Sequence, residues 1–102
     1  MKINSDEQMI LFCVAKCKQR AGRSLTIEIL QGSHSVRVFS RRLNQNSAFA
    51  SMLGRSTEEL DEAIQSLIDQ GLLAETDDEY PRLTLTEESE ELLREYGHEI
   101  DS

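Results

Sequence analysis

The run Ser56-Thr57-Glu58-Glu59-Leu60-Asp61-Glu62-Ala63-Ile64-Gln65-Ser66-Leu67-Ile68-Asp69-Gln70-Gly71-Leu72-Leu73-Ala74-Glu75-Thr76-Asp77-Asp78-Glu79-Tyr80-Pro81-Arg82-Leu83-Thr84-Leu85-Thr86 decides the fold. Ser56 followed three residues later by Glu59 is a capping box, so a helix starts here. Leu60, Ile64, Leu67 and Ile68 recur at helical spacing, and Gly71 stops the helix. Residues 72–75 and 82–86 then read as two strands, with Leu83 and Leu85 alternating with polar residues. The link 76–81 is a hairpin loop with Asp77, Asp78 and Glu79 at its tip, and Pro81 limits pairing there. Thr86 caps a last helix over 87–96, with Leu92, Leu93 and Tyr96 facing inward and Gly97 closing it.

Upstream, Ser5 with Gln8 reads as another capping box. Ile10, Cys13, Val14 and Cys17 recur at helical spacing, so a first helix is expected from about Asp6 to Ala21, ending at Gly22. Ser24 is placed to cap a short second helix that ends at Gly32. Its β-branched Thr26, Ile27 and Ile29 leave a strand open as the alternative. Over 33–55, Val36, Phe39 and Leu43 give one helical face, with Arg37, Arg41 and Arg42 on the other. Residues 44–47 are loop by composition, and 48–53 form a helical turn ended by Gly54. The tail 98–102 is expected to fray. Helix, helix, basic region, capped helix, hairpin and helix describe a mostly helical α+β winged helix over 1–97. Such a domain is a helix-turn-helix core with a two-stranded wing, commonly used on duplex nucleic acid.

Composition bounds the function. The chain has 102 residues, 38% of them hydrophobic and 29% charged, as expected of one globular domain. No apolar run suits a membrane span or a signal peptide, so the expected location is the cytoplasm. The net charge of −8 argues at first against a nucleic-acid partner, but the charge is unevenly spread. Residues 16–55 hold eight basic residues against Glu28 alone, for +7. Residues 56–102 hold Arg82 and Arg94 against sixteen acids, for −14, and residues 1–15 contribute the remaining −1. Either the basic half is a binding surface or the two halves pair with each other.

Catalytic chemistry is not supported by pattern. Cys13 and Cys17 share a helix face, but a zinc site needs four ligands, and His34 and His98 are far off in sequence. Two such cysteines read as small core residues. Glu58, Glu59, Asp61 and Glu62, like Glu87, Glu88, Glu90 and Glu91, crowd helix starts, where the dipole favours anions. No phosphate-cradling glycine loop and no nucleophile-base order is present, so no cofactor and no stand-alone enzyme is expected. Residues 32–37 offer two hydroxyls before a helix start, with Arg37, Arg41 and Arg42 inside or beyond it. These are groups that hold a phosphate, and ordinary capping by Ser33 or Ser35 is the alternative reading.

Four pieces of the chain carry a resemblance. Gln19-Arg20-Ala21-Gly22 resembles a QRFG motif. Residues 27–37, Ile27-Glu28-Ile29-Leu30-Gln31-Gly32-Ser33-His34-Ser35-Val36-Arg37, resemble VVEVLRGSxSxR/K. Residues 65–73 resemble RQLIxQGLL, and residues 79–87 resemble EYPVLKLTE. Together, and in order, they are similar to the RQC domain, the winged helix that follows the zinc-binding region of RecQ-family DNA helicases. The resemblance implies binding to duplex and forked or branched DNA, and a place in DNA repair, replication or recombination. It implies phosphate contacts at Ser33, His34, Ser35 and Arg37, with Arg55 where the family has a lysine; Arg41 and Arg42 extend the set. It implies a wedge at the wing, Asp77, Asp78, Glu79 and Tyr80. Three acids there repel phosphates, and Tyr80 beside Pro81 is expected to pack on the body. The parent would be an ATP-dependent helicase located with the bacterial nucleoid, and its core is a possible partner. The alternative is an acidic winged helix that binds a basic protein.

Overall fold

The computed structural model describes residues 3–96. The elements run α1 (Ser5–Lys16), α2 (Arg23–Gln31), α3 (Val36–Ser40), a short 3-10 helix (Leu43–Gln45), α4 (Thr57–Asp69), β1 (Leu73–Glu75), β2 (Leu83–Leu85) and α5 (Glu87–Glu95). The two strands pair antiparallel, Leu73 opposite Leu85 and Glu75 opposite Leu83. This is the expected winged helix. Its core joins Ile10, Leu11 and Val14 of α1 to Ile29 and Leu30 of α2, Leu60, Ile64 and Leu67 of α4, Leu83 of β2 and Leu93 of α5. The expected tail at 98–102 and the closing role of Gly97 lie outside the described residues.

The capping box of α4 and the Thr86 cap of α5 form as the sequence predicts. Ser56 accepts from the Glu59 N–H and Thr86 from the Ser89 N–H. The box of α1 sits one residue earlier than expected. Asn4 Oδ1 accepts from the Glu7 N–H at 2.7 Å, and the Asn4 N–H donates to Glu7 Oε1 at 3.0 Å. Asn caps as well as Ser, and the Glu7 carboxylate is a stronger acceptor than the Gln8 amide. Nor does Ser24 cap α2: Gly22 is the N-cap, without a side-chain bond, and Ser24 lies inside the helix. The strand alternative for this segment is not realised. The buried Thr26 hydroxyl is satisfied by the Gly22 carbonyl at 2.8 Å.

α1 ends at Lys16, five residues before the expected Ala21. Lys18 and Gln19 adopt positive φ (55° and 59°), which turns the chain out of the helix. Residues 19–21 then run beside the outer edge of β2. Leu83 N–H donates to the Ala21 carbonyl and Leu85 N–H to the Gln19 side-chain oxygen, each at 2.9 Å. The wing base is therefore stitched to the α1–α2 turn. Unpaired edge amides are satisfied by that turn rather than by water.

The segment 48–53 docks on the end of α2. Ala50 N–H and Met52 N–H donate to the Ile29 and Leu30 carbonyls at 2.8 and 2.9 Å, which occupies two terminal carbonyls of the helix. The approach is close: a Cβ on Gly32, at φ +72°, would stand 2.7 Å from Ala50 Cβ. α3 departs from the expected face. Its one buried residue is Val38, while Val36 is 84% exposed. A five-residue helix has room for one inward position. Phe39 instead lies against His34 and Phe49 in edge-to-face contacts.

Candidate nucleic-acid interface

Of the nominated phosphate contacts, Ser33, Ser35 and Arg37 converge on one carboxylate, that of Glu28. Ser33 Oγ donates to Glu28 at 3.3 Å. Arg37 Nε and Nη2 both grip Glu28, and Nη2 also donates to Ser24 Oγ at 2.8 Å. Ser35 caps α3 by accepting from the Val38 N–H. Burial pushes the Glu28 carboxyl up, but hydrogen bonds from Ser35, Arg37 and Ser33 and the Arg37 charge hold it below the usual carboxylate range. These nominated groups thus already hold an anion, the Glu28 carboxylate supplied by α2. His34 is exposed, with its ring against Phe39. Arg55 is engaged elsewhere, with Asp6 at the start of α1 at 2.7 Å.

Arg41 and Arg42 are exposed, and among the described residues neither is paired with a carboxylate. Lys18 and Arg20, which the sequence reading did not nominate as contacts, share that condition. Their signal was present only as part of the +7 block. Lys16, Lys18, Arg20 and Arg41 wall one cleft, floored by Cys17, Ala21, Leu25 and Leu43. A second cleft shares Arg20, Arg41 and Leu25 with the first and reaches Arg37, Arg82, Glu79, Tyr80 and Pro81. The two form one groove running from the end of α1, past α3, to the wing. Arg23 at its edge is bound to Asp61 at 3.1 Å and Glu75 at 2.8 Å, so the basic and acidic halves do pair at that point.

The wing tip is exposed at Asp77, Asp78, Glu79 and Tyr80. Tyr80 does not pack on the body; it is 78% exposed. The base of the loop comes close to the start of α2: a Cβ on Gly22 would stand 2.7 Å from the Pro81 carbonyl oxygen. Arg82 lies 3.6 Å from Asp78 and offsets part of the acidic charge at the tip. Tyr96, expected inward on α5, is 39% exposed, and its hydroxyl accepts from Ile3 N–H at 3.4 Å. Cys13 and Cys17 are free thiols within the core cluster. Among the described residues no helix is long and apolar enough to cross a membrane.

A helix-turn-helix core, a hairpin braced on the α1–α2 turn and a groove between them define a winged-helix domain. The chain belongs to the RQC domain family, whose model matches residues 3–100. It is also 23% identical over 92 residues to an ATP-dependent DNA helicase RecQ of Bacillus subtilis (strain 168). That similarity covers 90% of this chain and 16% of the helicase.

Proposed function

We propose that this domain binds duplex DNA, through phosphate contacts in the groove between α1, α3 and the wing, as the accessory module of a RecQ-like helicase. The observation that carries the reading is the uncompensated set Lys18, Arg20, Arg41 and Arg42 on a chain whose net charge is −8. Cations left unpaired amid such an excess of acid are suited to an external anion. Arg37, Ser33 and Ser35 join them when a phosphate replaces Glu28. Tyr80 at the end of the groove supplies a face for a base at a duplex end, which favours forked over blunt DNA. Motion driven by ATP belongs, in this reading, to a helicase core, and the setting is the cytoplasm, with the nucleoid DNA.

Fluorescence anisotropy on forked and blunt duplexes across a salt series tests the proposal. Four engaged cations give a slope of log K against log salt of roughly −4. No binding at low salt would sink the reading and favour the acidic faces of α4 and α5 as a surface for a basic protein.

A further inference from the structure

α3 turns an apolar face to solvent. Val36 is 84% exposed, and Phe39, three residues on along the same face, is 44% exposed. Leu53 is 73% exposed and lies beside the turn that leads into α3, its Cδ1 3.6 Å from where a Cβ on Gly32 would stand. Three of the five large apolar side chains that stand exposed among the described residues thus belong to α3 and the turn before it. The Phe39 ring is held from two sides. His34 and Phe49 meet it edge to face, with ring centres 5.5 and 6.3 Å away. Phe49 packs in turn against the core, so the ring has a firm base.

The charge around this face has one sign. Residues 29–57 hold Arg37, Arg41, Arg42 and Arg55 and no acid. Arg37 and Arg41, one turn apart, line the groove. Arg42 follows at φ 57°, its N–H on the Phe39 carbonyl at 3.1 Å. Arg41 and Arg42 are exposed, and neither pairs with a carboxylate among the described residues. The apolar face therefore continues the groove across α3, and a helix is only about 10–12 Å wide with its side chains. Clustered apolar exposure of this kind marks a contact surface. A purely apolar partner has no use for bare guanidinium groups, and a duplex backbone has no use for a phenyl ring. A strand of unpaired nucleotides uses both, with bases on the ring and phosphates on the cations.

We propose that the face formed by Phe39, His34 and Val36 is a stacking platform for single-stranded DNA, the unpaired tail that leaves a duplex held in the groove. The inference rests on the reading given under Proposed function and extends it from the paired to the unpaired strand. Bases of the tail lie on the Phe39 ring, and Arg41 and Arg42 hold the phosphates beside them. Every base has a π face, so the platform takes any sequence. It is distinct from Tyr80 on the wing, which would meet the base at the junction. Phe39 meets the bases beyond it.

Anisotropy with the full chain compares a blunt duplex with the same duplex carrying an oligothymidine tail. The tail should tighten binding about five- to a hundredfold. A tail made abasic beyond the junction keeps every phosphate and the base that Tyr80 would meet, and it should lose most of that gain. Phe39→Ala should lose the same gain with blunt-duplex affinity unchanged, and Phe39→Tyr should keep it. If Phe39→Ala does not fold, the abasic comparison on the wild-type chain decides. Iododeoxyuridine in the tail should then crosslink within residues 34–49. A gain that survives the abasic tail, or a crosslink confined to the wing, overturns the proposal. So does a dimer in sedimentation that Phe39→Ala abolishes, since a second copy would then cover the face. A blunt duplex bound with no gain from the tail removes the platform and leaves the duplex reading. Oligothymidine bound through Phe39 by a chain that ignores duplex does the reverse, and no binding of either at low salt removes both.

Discussion

Gly22 and Pro81 face each other so closely that a Cβ on Gly22 would stand 2.7 Å from the Pro81 carbonyl oxygen. This contact sets how the wing leans on the start of α2, and with it the width of the groove. The obstacle is backbone, so it cannot swing aside as a side chain would. Gly22→Ala should destabilise the domain by about 1–3 kcal/mol, the usual range for forced overpacking. In a domain of this size that lowers Tm by roughly 4–8 °C per kcal/mol. Thermal unfolding followed by circular dichroism checks it, and a wild-type Tm would show that the wing shifts freely.

Gln19 has a related role. Its side-chain oxygen is the acceptor for the Leu85 N–H, at a position where Leu85 is 8% exposed. Gln19→Leu leaves that amide without its partner, at a cost of about 1–3 kcal/mol. Hydrogen exchange at Leu85 should speed up more than at the core of α4, which separates loosening of the wing from a general loss of stability.

The cations of the groove should differ in what they contribute. Arg20→Ala and Arg41→Ala each remove an unpaired charge, so each should weaken DNA binding and flatten the salt slope by roughly one. Arg55 is held by Asp6. Arg55→Ala should change the slope less and cost about 0–1 kcal/mol of stability, as exposed ion pairs do. Anisotropy titrations at four salt concentrations distinguish the cases. Equal slopes for all three variants would show that ion pairing does not sort these arginines.

These distinctions also mark what was legible in the sequence. The wing was legible because local rules agree there: the box at Ser56, the cap at Thr86, the stop at Gly71 and the alternation of Leu83 with Leu85. The end of α1 was not. Lys18 and Gln19 take positive φ in a turn held by bonds to a strand more than sixty residues away. The approach of Pro81 to Gly22, next to the exposed Tyr80, is equally non-local. Ser33, Ser35 and Arg37 were nominated from spacing, but their engagement within the fold was not legible. Glu28 reaches Arg37 from a different helix, and Asp6 reaches Arg55 across the fold. A count of charge located the basic half; only the pairing pattern shows that Lys18, Arg20, Arg41 and Arg42 are its free part.

Glu28→Gln should separate the structural from the binding role of the Arg37 cradle. The folded Glu28 carboxyl is held below the usual range, so the unfolded chain takes up its proton first as pH falls. The stabilisation is therefore full above the unfolded value of about 4.3 and is lost as pH drops through the lower folded value. Urea unfolding should show Glu28→Gln less stable than wild type at pH 7, with the difference shrinking at strongly acid pH. At neutral pH the variant frees Arg37 and adds one unit of positive charge, so DNA binding should tighten. Tighter binding without the pH effect, or the reverse, would split the two roles.

Tyr80 offers the sharpest test of the wing. The ring is 78% exposed, so Tyr80→Ala removes almost no packing and should leave Tm within the scatter of surface substitutions, about ±0.5 kcal/mol. It lines the end of the groove with Pro81 and Arg82, which on the proposed function is where a duplex end would open. Stacking of a base on an aromatic ring contributes about 1–3 kcal/mol in single-strand complexes. Tyr80→Ala should therefore weaken binding to a fork by roughly five- to a hundredfold while leaving a blunt duplex nearly unchanged. Tyr80→Phe keeps the ring and should restore the preference. Equal losses on both substrates would assign Tyr80 to general affinity, and no loss on either would leave the acidic tip of Asp77, Asp78 and Glu79 as the dominant feature of the wing. A 2-aminopurine placed at the fork junction reports the stacking directly, through quenching by Tyr80 that is lost in the alanine variant and kept in the phenylalanine one.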